Sequence, residues 1–322
     1  MKRKIVILHN QVLTNKPDEL DVIHQRDLVK RACEELNYLV ICRIAGRELL
    51  DDIESLKSEQ PAVVFNLVEE AWGRGEFIYF VPALLNALKI PYTGVPLDAL
   101  FVTTNKVLAK KMMKLNNIPT ADFYSMGELD QLDPHKTYIV KPIWEEASVG
   151  ISSDSIFKTS EKEKFEQIGL LSSSHYFVEE FIDGREFNIS MLTRGDGDVE
   201  VLPHAEMIFS DFFTDIPKIV GYQAKWDEKS PEYSGTKREF GTLINKSELE
   251  QKLNEICKLS WRVFNLKGYA RVDFRVDSNE QVYVLEINGN PCISPDSGFV
   301  AAAKYAGYSI TTMIDRILQD IN

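Results

Sequence analysis

The chain has 322 residues, too many for one ordinary hydrophobic core and suited to two or three packed units. Hydrophobic residues make up 44% and charged residues 27%, the balance of a globular protein rather than a disordered one. A net charge of −12 speaks against nucleic acid or an anionic membrane as partner, since either calls for a dominant basic surface.

In chain order, Ile5–Leu8 is a short apolar run that reads as a first buried strand. No cleavage-site pattern follows it, and no apolar stretch is long enough to span a bilayer, so a cytoplasmic protein is expected. Cys33, Cys42, Cys257 and Cys292 show no metal-ligand spacing and read as reduced thiols. Asp21–Leu36 has helical spacing, with Val22, Leu28, Ala32 and Leu36 recurring on a face. Tyr38–Ile44 and Val63–Leu67 are strand-like, and Phe77–Leu88 is helical. This βαβ rhythm predicts a parallel sheet covered by helices, without a GxGxxG fingerprint.

Near Pro96 the character changes. Thr104–Leu115 reads as a Lys-rich helix capped by Thr103 or Thr104 and broken by Ile118-Pro119-Thr120. Tyr138–Pro142 is a strand, and Glu146–Ser153 a loop of small residues. His175–Ile182 and Arg185–Leu192 are predicted to form a hairpin about Asp183-Gly184. Phe209–Gly241 is polar and aromatic without sustained periodicity, the pattern of a long loop that is either functional or disordered. Glu248–Phe264 is an amphipathic helix. Tyr269–Val276 and Gln281–Ile287 are strands of a second hairpin. Pro295–Ala306 and Ile310–Ile321 close the chain as helices.

The last hairpin carries the strongest chemical signal. Side chains alternate along a strand, so Arg271 and Asp273 share one face, and Glu286 and Asn288 share another, opposite Leu285 and Ile287. If the two polar faces coincide, two carboxylates and an amide oxygen meet beside a guanidinium, a donor set suited to Mg²⁺. Lys106, Lys141 and Lys225 together can neutralise a polyphosphate, and the small residues around Ser148 let backbone N–H groups approach phosphates.

These features occur in a set order: Lys106, Lys141 with its SVGIS loop, Val178-Glu-Glu-Phe-Ile-Asp-Gly-Arg-Glu186, Tyr222-x-Ala-Lys225, Arg271-x-Asp273 and Glu286-x-Asn288. In this the chain resembles the ATP-grasp superfamily, specifically its D-alanine–D-alanine ligase branch, from Val63 onward. The resemblance implies a mixed α/β and α+β fold in three parts. These are an N-terminal Rossmann-like pre-ATP-grasp domain (1–100), a central ATP-grasp subdomain (101–180) and a C-terminal one (181–322) with a lid over 209–241. It implies that Lys106, Lys141 and Ser148 contact the ATP phosphates. Glu179 would accept from the adenine amino group, Phe181 and Ile182 would form the adenine hinge, and Glu186 would hold the ribose. Lys225 would reach the transferred phosphoryl group, and Arg271 would stabilise the oxyanion. Asp273, Glu286 and Asn288 would hold two Mg²⁺ ions, with Mn²⁺ an acceptable substitute. The implied partners are small amino-acid or peptide substrates and a second copy of the chain in a homodimer.

The substrate end departs from the family. The Gly-Gly turn with its following Ser and Glu is replaced by His9–Lys16, the linking serine is Ala147 and the lid tyrosine is Trp226. Cys292-Ile293 stands for Gly-Met, and Gly298, after the substrate-site Ser297, stands for a leucine and implies room for a larger side chain. Glu69 and Glu70 admit two readings, recognition of a substrate cation or solvated surface charge. The expected activity is an ATP-dependent carboxylate–amine ligase working through an acyl phosphate on substrates other than the D-Ala pair. The alternatives are an authentic D-alanine–D-alanine ligase and a nucleotide-binding protein without catalysis.

Overall fold

The computed structural model describes residues 2–14, 16–144, 150–195, 197–214 and 216–322. The N-terminal part alternates β1 (Lys4–Asn10), α1 (Pro17–Glu35), β2 (Leu39–Ala45), α2 (Leu49–Glu59), β3 (Val63–Leu67) and α3 (Phe80–Leu88). Its three strands are parallel in the order β2–β1–β3. Central β1 is apolar on both faces because both are covered. Ile5 and Ile7 pack with Val22, Leu28 and Val29 of α1, while Val6 and Leu8 pack with Ile53 of α2 and Val81 and Leu85 of α3.

Next come α4 (Leu97–Thr104) and α5 (Lys106–Leu115). The break between them falls at Asn105, whose Oδ1 accepts from Leu108 N at 2.8 Å, so the cap of the Lys-rich helix is Asn105 rather than a threonine. A four-stranded antiparallel sheet follows, built from β4 (Phe123–Ser125), β5 (Tyr138–Pro142), β6 (Ile156–Phe157), α6 (Lys162–Gly169) and β7 (Tyr176–Glu180), in the order β4–β7–β5–β6. It has its own core of Leu132, Tyr138, Val140, Phe157, Ile168 and Val178.

The remainder comprises β8 (Arg185–Thr193), β9 (Val199–Val201), β10 (Ala205–Phe209), α7 (Tyr222–Trp226), α8 (Pro231–Gly235), β11 (Thr236–Phe240), α9 (Ser247–Val263), β12 (Tyr269–Val276), β13 (Val282–Gly289), α10 (Gly298–Tyr305) and α11 (Ile310–Leu318). Six strands form an antiparallel sheet in the order β11–β10–β8–β12–β13, with β9 on β8. One face is apolar: Phe187, Ile189, Val272, Phe274 and Ile287 pack under α4, α5 and α9. Phe299, Val300, Ile314 and Ile317 of α10 and α11 join the core of α1 and β1.

Two expectations change. β7 and β8 do not pair as a hairpin, because β7 ends in the four-stranded sheet and β8 begins the six-stranded one. Gly184 between them has φ 151°, and a β-carbon there would overlap the Val276 carbonyl, so the turn serves a close passage between sheets. The segment 209–241 is also more ordered than its composition predicts. It contains α7, α8 and edge strand β11, whose sequence Thr-Lys-Arg-Glu-Phe lacks apolar alternation because it is a polar edge.

Candidate active site

The other face of the six-stranded sheet is polar, and strand register builds it. Arg271 lies opposite Asn288, and Asp273 opposite Glu286. On the other side of β12, Arg271 faces Ser190, Asp273 faces Asn188 and Arg275 faces Glu186. The two polar stripes of the last hairpin therefore coincide. Arg271 grips Asp273 with two hydrogen bonds, Nε to Oδ1 at 2.7 Å and Nη2 to Oδ2 at 2.8 Å. Asn288 Nδ2 donates to Asp273 Oδ2 at 3.2 Å and to Glu286 Oε1 at 3.4 Å.

The hairpin carries one irregularity. Its register shifts after Asp273, so that Phe274 pairs with Val284 and Leu285 is the extra residue of a bulge. Val284 and Ile287 are both buried while Leu285 and Glu286 between them are both half-exposed. Leu285 thus leaves the core side, contrary to strict alternation. The parity break between the apolar positions 284 and 287 is a signal of this in the sequence.

The electrostatics follow from this crowding. Burial alone would raise the Glu286 carboxyl, but Lys106, Lys225, Arg271 and Lys141 surround it and bring it down to about 2. Asp273 is pushed the other way, by burial and by the charge of Glu286, although Arg271 opposes the change. Two carboxylates facing each other across one rung are a like-charge pair that a divalent cation relieves. Two carboxylates and a rotatable amide form an oxygen donor set that fits Mg²⁺. Turning the Asn288 amide exchanges its nitrogen for its oxygen at that point. Among the described residues no cluster of three or more His, Cys, Asp or Glu offers a different metal site.

Lys225 reaches this cluster from α7. Burial lowers its proton affinity, Arg271 lowers it further, and Glu286, Asp273 and Glu186 oppose the change. The segment 209–241 is anchored where Tyr222 N donates to Ile151 O at 3.3 Å, next to Gly221, where a β-carbon would stand 2.9 Å from that oxygen. Lys106 is buried at the first turn of α5, and its N–H donates to Ile143 O at 3.0 Å. Ser148, and the Ala147 beside it, lie outside the described residues.

Glu179 is in a different situation from the one the resemblance implies. Its carboxylate sits in a fully buried ion cluster, held by Lys110 at 2.6 Å on one oxygen and by Lys141 on the other, rather than free for an adenine amino group. Lys110 also donates to Thr120 Oγ1 at 2.7 Å. Lys110 went unremarked in the sequence, although its spacing of four from Lys106 puts both on one helix face. Glu186 is likewise engaged, by Arg275 Nη2 at 2.7 Å. The Arg275 guanidinium lies near the rings of Phe181 and Phe209, and Nη1 donates to Gly184 O at 3.1 Å. Positions 271, 273 and 275 share strand parity, which is the signal that points to Arg275. Ile182 is buried beside Phe181, whose N–H donates to Thr137 O at 2.9 Å.

Glu69 and Glu70 are exposed after β3. Asn10 pins them, Oδ1 accepting from Glu69 N at 2.7 Å and Nδ2 donating to Glu70 O at 2.8 Å. Glu69 Oε1 accepts from Gln25 at 2.8 Å, and Gln25 Oε1 accepts from Ile293 N at 3.1 Å. Cys292 Sγ donates to Asp21 at 2.9 Å, so the residues that replace the family's Gly-Met are tied to α1. Trp226 is half-buried on α7. Ser297 caps α10, Oγ accepting from Val300 N at 3.3 Å. A β-carbon at Gly298 would stand in ordinary contact, 3.6 Å from Nε and Nη2 of Arg238, on β11.

Comparison with known proteins agrees with this architecture. Residues 134–319 match the family model described as the D-ala D-ala ligase C-terminus. The D-alanine–D-alanine ligase of Aquifex aeolicus is 32% identical over 297 residues, spanning 90% of this chain and 92% of that protein. A Sinorhizobium fredii protein, y4sG, is 31% identical over 305 residues, or 91% and 85% of the two chains. The crystal structure of the Bacillus anthracis D-alanine–D-alanine ligase complexed with ATP superposes with a TM-score of 0.73 at 22% identity, covering 99% of this chain and 96% of that one. Fold, family model and relatives agree that this chain belongs to the D-alanine–D-alanine ligase family and is an ATP-grasp ligase that forms carbon–nitrogen bonds.

Proposed function

We propose that this ligase activates a substrate carboxylate with ATP as an acyl phosphate and joins it to an amine, on a substrate pair other than two D-alanines. The observation that supports the chemistry is the convergence of Lys106, Lys141, Lys225 and Arg271 on Glu286, opposite Asp273. In the first step a carboxylate oxygen bonds to the γ-phosphorus and ADP leaves. In the second, the amine nitrogen bonds to the carbonyl carbon, the carbon–oxygen bond to phosphate breaks, and the nitrogen gives up a proton. Asp273, Glu286 and Asn288 would hold two Mg²⁺ ions, which would supply charge neutralisation for the phosphates. Lys106 and Lys141 orient the phosphates, Lys225 meets the transferred group, and Arg271 faces the oxyanion. The lid 209–241 excludes water from the acyl phosphate. Phe181 and Ile182 flank the base, and the Ser148 loop covers the phosphates. The chain divides near residues 100 and 180 into three working units.

Support for the substrate reading comes from where the departures lie. The Cys292–Asp21 contact, the Gln25–Glu69 contact and the Arg238–Gly298 contact all gather at the substrate end, while the carboxylates and lysines of the nucleotide end are retained. A phosphate-release assay with ATP, Mg²⁺ and a panel of acid–amine pairs tests it. Turnover with pairs other than D-alanine is expected. Turnover with D-alanine alone would return the protein to the standard activity, and ATP binding without any turnover would make it a non-catalytic nucleotide binder.

A further inference from the structure

Among the described residues, Arg238 has no carboxylate within ion-pair distance, although the charge of Asp296 acts on it from farther away. Strand β11 carries it on the same sheet face as the site, since Arg238 pairs with Met207, Met207 with Glu186, and Glu186 with Arg275. Its guanidinium lies over Gly298, at the N-terminus of α10, and among the described residues makes one hydrogen bond, Nη1 to Asp296 O at 3.3 Å. Among the described residues no carboxylate lies within 4.0 Å of it, whereas Arg271, Arg275 and Arg185 each hold one at 2.7 Å. The nearby Asp296 carboxylate is turned to Ser294, whose Oγ donates to it at 3.1 Å.

Arg238 keeps access to solvent, yet the surrounding protein and the like charge of Arg271 both lower its proton affinity. Bringing two guanidiniums toward one space is unfavourable unless an anion enters it. The phosphates already have Lys106, Lys141 and Lys225, which act on Glu286. Arg238 stands on the side of Ser297 and Gly298. There the first N–H groups of α10 and the remaining guanidinium nitrogen of Arg271 can take one carboxylate. Arg238 then serves a second.

We propose that Arg238 is a specificity residue that recognises a side-chain carboxylate of the amine substrate, so that this ligase couples an acidic amino acid. This rests on the ligase reading above and names its substrate class. Arg238 lies on an exposed edge strand, so its replacement leaves the core intact, which thermal melts of each variant verify.

The test measures ATP-dependent phosphate release by the full-length protein with aspartate, glutamate, asparagine, glutamine, alanine and lysine as amines, in both configurations. For wild type, kcat/KM with an acidic amine should exceed that with its amide by about tenfold to a hundredfold, the usual range for one charge-assisted contact. Arg238→Gln should erase that preference through KM for the amine, Arg238→Lys should restore part of it, and Arg238→Glu should shift it toward lysine. Equal turnover of acids and amides by wild type, or a preference that survives Arg238→Gln, overturns the inference and leaves the ligase reading standing. Absence of release with every pair overturns both.

Discussion

Asp273 on β12 and Glu286 on β13 face each other across one rung of the ladder, yet their environments push them apart: Glu286 is held at about 2 and Asp273 is raised. The difference has a local origin. Arg271 is committed to Asp273, while Lys106, Lys225 and Lys141 add their charges at Glu286. Glu286 is therefore ionised at neutral pH beside a neighbour whose proton affinity is raised.

This gives a pH signature. The Glu286 carboxyl lies below its ordinary 4.5 in the folded chain, so its contribution to stability is present above 4.5 and is lost as pH falls toward 2. At neutral pH the contribution is up to about 3 kcal/mol. The stability gap between wild type and Glu286→Gln, measured by urea unfolding across a pH series, should shrink through that window. A gap that stays flat would mean that the lysines do not act on Glu286. The same variant should lose phosphate release by about a hundredfold or more.

Lys110 and Glu179 are both 1% exposed, and breaking such a pair from one side strands a buried charge. Lys110→Met should cost about 3–5 kcal/mol in urea unfolding. Pairing it with Glu179→Leu should recover part of that loss, because the buried carboxylate goes while Lys141 loses its partner. If the double variant is as unstable as the single one, packing rather than charge explains the effect.

Much of the site was legible because strand parity is a hard rule: 271 with 273, and 286 with 288. Register, which depends on tertiary pairing, was not legible, and it is what brings Arg275 to Glu186 and frees Leu285 at the bulge. The N-terminal βαβ pattern showed in the apolar runs because its strands are buried on both faces. β11 stayed hidden because an exposed edge strand has no inner face to make apolar. For the same reason Arg238 gave no signal until β10 placed it over Gly298. The hairpin expected at Asp183-Gly184 was misread because a turn signal marks a reversal, not the sheet in which each strand ends.

Gly184 joins the two sheets at φ 151°, with no room for a β-carbon beside Val276 O. Gly184→Ala should therefore cost at least about 2 kcal/mol, from backbone strain and overlap together. Gly197 also has a positive φ, of 85°, but open space around it, so Gly197→Ala isolates the backbone cost and should lose about 1 kcal/mol. Thermal melts of the two variants compare these directly. Equal losses would show that the passage between the sheets tolerates a side chain.

The four thiols should differ sharply in reactivity, since the thiolate is the nucleophile. Cys33 is fully buried, and burial pushes it up to about 12, leaving little thiolate under mildly alkaline conditions. Cys257 is equally enclosed and is raised by burial. Cys292 is half-buried, but burial and the carboxylates of Asp21 and Glu69 raise it as well. Cys42 is also half-buried and raised by burial, yet Arg26 and Lys30 pull it back down. Alkylation by iodoacetamide, mapped by mass spectrometry, should therefore label Cys42 first in the folded protein and all four together in urea. Early labelling of Cys292 would mean that its hydrogen bond to Asp21 opens in solution, and with it the tie between α1 and the loop that leads to Ser297.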